Sequence, residues 1–301
     1  MVRLPRECVI LARELGLAEP PCERCVAEHF FSYWRGGKGE PKVPAGCWVA
    51  HTALTALECA RMRARLERAL RRVGLKWADV ELLAVLHDVG KLSEAYARYG
   101  FRGLRHNVLS AVVAYRACGG NMTIMRAAFL HHEASHWRDL YWLKVPHIRD
   151  TIFSDMVRLV VRGFKLRDGY VLALEELAGL LDRMGVEGTR PVLAIIADED
   201  FYQMSQDELD RKLGRFRPVE IALYWILYLA DNRAASARET SEVYWLDAVR
   251  RLPEGAKEPA ELADLILELR RTSPRLVHIS LTALPGLRGG EEGPCPSPRS
   301  G

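Results

Sequence analysis

The stretch Leu82-Leu83-Ala84-Val85-Leu86-His87-Asp88-Val89-Gly90-Lys91 decides how this 301-residue chain is read. Five apolar residues arrive at a histidine, an aspartate, a glycine and a lysine. The spacing predicts a helix over Trp77–Val89, closed by Gly90. An ionised carboxylate buried beside an imidazole is costly without a compensating charge. A bound divalent cation supplies that charge. Neighbouring residues on a helix point about 100° apart. His87 is therefore placed to ligate one ion while Asp88, with two oxygens, lies between two. A His-Asp dipeptide alone is more often a solvated helix end with an ion pair, so the odds depend on the rest of the chain.

Outward from this stretch the pattern is helical nearly throughout. Apolar residues at helical spacing (Val49, Leu54, Leu57, Met62, Leu66, Leu70) predict a helix over Trp48–Val73, ended by Gly74. Another runs from His106 to Ala117 and stops at Gly119-Gly120. Asn121 caps the next, which reaches Leu130 to His132. Further helices are expected at Asp150–Phe164, Val171–Met184, Asp207–Leu213, Val219–Ala237, Glu242–Arg250 and Pro259–Arg271, with Pro218 suited to a first helical position. Alternating hydrophobics appear only around Leu276 to Leu281. The expected fold class is all-α. Three regions are expected: a partly irregular N-terminal segment, 1–47; a main domain, 48–282, with an unassigned helical region at 137–216; and a disordered tail, 283–301.

The bulk numbers exclude several classes. No apolar run approaches the roughly 20 residues that span a bilayer, and Arg3, Pro5, Arg6 and Glu7 precede any apolar run, unlike a signal peptide. A soluble, cytoplasmic protein is expected. The net charge is +4, compatible with a polyanionic partner without requiring one. Arg61, Arg63, Arg65, Arg68, Arg71 and Arg72 are read as a solvated helix face, ahead of a phosphate-tracking stripe. Asparagine is confined to 107, 121 and 232 and glutamine to 203 and 206, the depletion seen in thermophile proteins. Cys22 and Cys25 form a C-x-x-C with His29 one turn later. With Cys8 or Cys47 this could hold zinc, but free thiols or a disulfide are favoured over a lone C-x-x-C site.

The histidines carry the strongest signal. His131-His132 is a second adjacent pair at the end of an apolar helix, His106 begins a helix, and His51 lies near the start of the arginine-rich helix. Five of nine histidines thus sit at the ends or starts of apolar helices, and Asp231 follows the apolar run Ile221 to Ala230. A helical bundle can bring such positions together. Imidazole with carboxylate suits manganese, iron, cobalt, nickel or zinc.

Taken in order, His51, His87-Asp88 with Gly90-Lys91, His106, His131-His132 and Asp231 resemble the HD superfamily of metal-dependent phosphohydrolases. Arg105-His106-Asn107-Val108-Leu109-Ser110-Ala111 and Leu229-Ala230-Asp231 with Ala235-Ser236 resemble, more narrowly, the HD nuclease of type I CRISPR interference. In some archaeal systems that nuclease is separate from its helicase. The absence of a G-x-x-x-x-G-K-[ST] motor loop here matches the separate form. The resemblance spans about His51 to Ser236, with no motif matched over Trp137 to Phe216.

The resemblance implies an all-α HD-domain bundle with additional helices, from a thermophilic archaeon. It implies one metal on His51, His87, Asp88 and Asp231 and a second on Asp88, His106, His131 and His132, bridged by Asp88. The ions would be Mn2+, Ni2+, Co2+ or Fe2+, with Mg2+ admissible. Lys91 would lie near the scissile phosphate and Ser236 would support the Asp231 region. Gly90 would let backbone approach the substrate, and Asn107 and Ser110 would orient ligands or cap their helix. The implied activity is two-metal hydrolysis of single-stranded DNA, or RNA, in antiviral defence. The implied partners are a separate CRISPR helicase and a guide-RNA surveillance complex.

Two other readings are open. One is an HD-type nucleotide phosphohydrolase or cyclic-nucleotide phosphodiesterase. The latter usually carries Gly-Tyr-Pro after its histidine pair, and His131-His132-Glu133-Ala134-Ser135-His136-Trp137 does not. The other is a non-catalytic HD-fold binding subunit, against which the full ligand set argues.

Overall fold

The computed structural model describes residues 4–17, 20–27, 29–36, 41–100, 106–131, 154–213 and 216–237. His132, His136, the helices expected at Glu242–Arg250 and Pro259–Arg271, the alternation at Leu276 to Leu281 and the tail at 283–301 lie outside these residues.

The described chain is a bundle of α-helices with two short antiparallel ribbons. The helices are α1 (Arg6–Glu14), α2 (Trp48–Arg72), α3 (Trp77–Leu86), α4 (Glu94–Tyr99), α5 (His106–Ala117) and α6 (Met122–Leu130). They continue as α7 (Ser154–Arg162), α8 (Tyr170–Arg183), α9 (Arg190–Asp198), α10 (Gln206–Leu213) and α11 (Pro218–Ser236). Strands β1 (Tyr33–Arg35) and β2 (Val43–Ala45) pair with Trp34 opposite Pro44, and β3 (Phe164–Lys165) pairs with β4 (Phe201–Tyr202). The all-α expectation holds. The ribbons were not expected, because strands of two or three residues leave no alternation to read.

Burial explains the arrangement. A helix that is apolar all round is driven into the interior, whereas an amphipathic one lies at the surface. In α2 every residue from Trp48 to Ala56 is buried, and nothing in the first turn faces water. Its second half is two-sided: Cys59, Met62, Leu66, Ala69 and Leu70 face the core while Arg61, Arg63, Arg68, Arg71 and Arg72 are exposed. The central stretches of α3, α5, α6 and α11 are buried likewise. The most extensive packing is of α5 on α6, α2 on α11, and α3 on α2. The polar residues at the ends of these helices therefore converge in the middle of the bundle.

Local signals set the ends. Asn121 Oδ1 accepts hydrogen bonds from the Thr123 and Ile124 amides, at 3.0 and 3.2 Å, and so starts α6 as expected. Pro218 opens α11, where Glu220 accepts from the Arg217 amide at 2.7 Å. Of the described helices, α1, α4 and α9, six to nine residues long, were not expected. Among the described residues no helix is long and apolar enough to cross a membrane.

Candidate metal centre

His87 is the C-cap of α3, and the chain turns away from the helix at Asp88 (φ −107°, ψ 5°). The expectation of a helix continuing to Val89 is corrected: α3 ends at Leu86 and Val89–Leu92 forms a 3-10 turn. Tertiary partners take the backbone groups that a longer helix would use. The Trp48 indole of α2 donates to the Asp88 carbonyl at 2.9 Å, and the Gly90 amide donates to Ser110 Oγ of α5 at 2.9 Å. Gly90 has a different use from the two expected. A Cβ there would lie 2.3 Å from the His106 carbonyl oxygen and 2.8 Å from the Ser110 amide nitrogen. Glycine is required because the start of α5 presses against the turn.

The turn aims the two oxygens of Asp88 at different partners. Oδ1 lies 2.6 Å from His106 Nε2 and 3.4 Å from His131 Nε2. Oδ2 lies 3.3 Å from His51 Nε2, 3.5 Å from His87 Nε2 and 2.6 Å from Lys91 Nζ. Asp231, from α11, completes the second side, its Oδ1 2.9 Å from His51 Nε2 and 3.6 Å from His87 Nε2. The ligand atoms of His51, His87 and Asp231 lie within 4.8 Å of one another, and so do those of Asp88, His106 and His131.

The imidazoles are oriented from behind. His87 Nδ1 contacts the Ala84 carbonyl at 2.8 Å and His131 Nδ1 contacts the Ala128 carbonyl at 2.6 Å. A carbonyl only accepts, so each Nδ1 carries the hydrogen and the neutral ring presents the Nε2 lone pair to the centre. His87 Nε2 is buried and has no hydrogen-bond partner among the described residues. An orphaned imidazole nitrogen in this position is an open ligand atom. His106 and His131 bring their Nε2 atoms within 3.2 Å of each other, a contact that suits two lone pairs sharing a cation.

Electrostatics favour the ligating forms of most of these groups. Burial resists ionisation of Asp88, but Lys91, His87 and His106 overcome it and hold the carboxyl well below its ordinary range. Burial opposes ionisation of Asp231 too, and His51 and His87 hold it low. Burial, helped by Lys91, pushes His106 down to about 3, and burial lowers His131. His87 is the exception: burial disfavours its cation, yet the facing carboxylates Asp88 and Asp231 push it up. In the neutral form that ligation requires of the histidines, two carboxylates and one ammonium leave a net negative charge in the buried cluster. A divalent cation offsets that charge, and the donor chemistry suits a transition metal.

Six of the seven expected ligands (His51, His87, Asp88, His106, His131 and Asp231) are thus brought together; His132 lies outside the described residues. Lys91 is buried against Asp88 Oδ2. Asn107 donates to the Phe129 carbonyl at 2.5 Å, tying α5 to the end of α6 that carries His131. Ser236 bonds the Arg233 carbonyl, not Asp231. Trp48 was missed as a contributor, since an indole before a histidine carries no signal of a partner forty residues on.

Two further sets of residues lie apart from this centre. Neither Cys22 nor Cys25 belongs to a metal-holding group among the described residues, and the described cysteines are free thiols. Arg61 and Arg63 on α2 are engaged with carboxylates, Arg61 with Glu14 and Glu58 and Arg63 with Glu67 and Glu81, which fits a solvated face.

With the geometry in place, comparison with known proteins adds one relative. The chain is 23% identical over 202 residues to the CRISPR-associated endonuclease Cas3-HD of Pyrococcus furiosus, a match covering 61% of this chain and 84% of the relative. No family profile matches the chain, and no solved structure does. The likeness and the buried His/Asp cluster together support an HD-type, metal-dependent nuclease.

Proposed function

We propose that the protein is a two-metal nuclease that hydrolyses phosphodiester bonds of single-stranded DNA, or RNA, in CRISPR interference. It would work with a separate helicase and a guide-RNA surveillance complex. The observation that carries the reading is the division of Asp88: one oxygen faces His106 and His131, the other faces His51 and His87. A carboxylate so placed is suited to bridge two cations. The similarity to a CRISPR-associated endonuclease supports nuclease chemistry and the CRISPR setting.

The first ion would be held by His51, His87, Asp88 and Asp231, the second by Asp88, His106 and His131, with His132 proposed as a further ligand. When bound, such a pair supplies positive charge to the phosphate and makes a water acidic enough to act at neutral pH. The protein's own groups do the rest. Ala84 and Ala128 fix the tautomers of His87 and His131 through their carbonyls. Lys91 keeps Asp88 ionised and concentrates positive charge beside it. Among the described ligands Asp231 is the most exposed, with 16% of its side chain accessible against 6% or less for His51, His87, Asp88, His106 and His131. It marks the side from which a phosphodiester would approach.

The test is cleavage of circular single-stranded DNA by the full chain, with Mn2+ or Ni2+ added after chelator treatment. Cutting that depends on metal is expected. A chain that cuts no polymer with any metal but hydrolyses nucleotides or cyclic nucleotides would place it with the small-molecule HD enzymes instead.

A further inference from the structure

Among the described residues, two charged or polar contacts to α11 come from one face of α2, seven residues apart. His51 meets Asp231 at 2.9 Å. Two turns on, Glu58 Oε2 lies 2.6 Å from Arg233 Nε. Both members of this second pair are at least nine-tenths buried, Glu58 being 7% and Arg233 9% exposed. It is a close charge contact and not an aligned hydrogen bond, since Oε2 accepts none among the described residues. Glu58 Oε1 is held from the other side by Arg61 at 2.5 Å, and Arg61 also grips Glu14 of α1.

Burying two charges away from the reaction is an unfavourable way to gain stability. An apolar pair of similar volume usually serves a core as well or better. What an ion pair does that an apolar pair does not is fix the register of two helices, as a buried polar contact does in a coiled coil. Here the register that matters is local. Arg233 is two residues from Asp231, and Asp231 is the one ligand of its group supplied by α11. Sliding or rotating α11 against α2 would move the Asp231 carboxylate away from His51 and His87 while leaving Asp88, His106 and His131 in place, because those lie on the α3 turn, α5 and α6.

We infer that the Glu58–Arg233 ion pair is a positioning device for the His51–His87–Asp231 group, setting that half of the centre and not the other. The inference rests on the metal reading above. Its test is titration of the metal-free full chain with Mn2+ alone, together with thermal melting. Glu58→Met/Arg233→Met removes both charges and leaves neither orphaned. It is expected to melt near the parent temperature while one equivalent of Mn2+ binds at least about tenfold more weakly, the size typical of losing a group that orients a ligand. The second equivalent keeps its affinity. Arg233→Lys keeps the charge but moves the donor. It serves the same purpose if the apolar pair does not fold, and is expected to weaken the same equivalent alone. Parent-like affinity for both equivalents in the folded variants overturns the inference and leaves the nuclease reading standing. A parent chain that binds no Mn2+ overturns both.

Discussion

Gly90 shows how tightly single residues determine this centre. It sits between the proposed ligand pair His87-Asp88 and Lys91, and the first turn of α5 leaves no room for a side chain beside it. Gly90→Ala would force α5 outward, moving His106 and Ser110 with it. The expected cost is about 1–3 kcal/mol of stability, the range for overpacking a dense interior. Melting of the purified variant reads the cost, and metal affinity is expected to fall too because His106 moves. A variant with parent-like melting would mean that the turn and α5 have slack between them. At this scale the sequence was informative for a physical reason. Buried polar residues next to one another at the end of an apolar helix need an explanation, and His87, Asp88 and His131 announce themselves. Gly90 and Trp48 do not, since their roles depend on contacts with residues 16 to 40 positions away.

The elements divide into those that build the centre and those that support it. Helix α6 does both, starting at Asn121 and ending against His131. Asn121→Ala removes a side chain that accepts from two amides and should cost about 1 kcal/mol. For a chain of this size that lowers Tm by about 2–4 °C. The cap lies a full helix length from His131, so Mn2+ affinity should not change; a weakened metal site would show that fraying of α6 reaches the centre. The long helices were legible because 10 to 25 residues of apolar periodicity outweigh local noise, and the predicted starts of α2, α5 and α11 fall within a residue of the observed ones. The end of α3 was misread. Helical pattern continues through Val89, but Trp48 and Ser110 capture the backbone and turn it. Glu58 and Arg233 illustrate the same limit, for nothing in either helix alone says that they meet.

For the whole molecule, the centre is a crossing point of α2, the α3 turn, α5, α6 and α11, so cations bound there join most of the bundle. Binding to the folded chain alone stabilises it by mass action, about 2.7 kcal/mol per site at a hundredfold excess over Kd. Mn2+ should therefore raise Tm by several degrees and a chelator should reverse it. An unchanged Tm at saturating Mn2+ would mean that the cluster is held together by its own ion pairs. The central claim is narrower: Asp88, by facing both histidine groups, makes one centre for two ions. Its most direct measurement is the Mn2+ stoichiometry of the metal-free full chain beside that of Asp88→Ala, with circular dichroism confirming that both are folded. The account predicts two equivalents for the parent chain, with Asp88→Ala losing at least one and binding the remainder weakly. Two tightly bound equivalents in folded Asp88→Ala, or fewer than two in the parent chain, would contradict it.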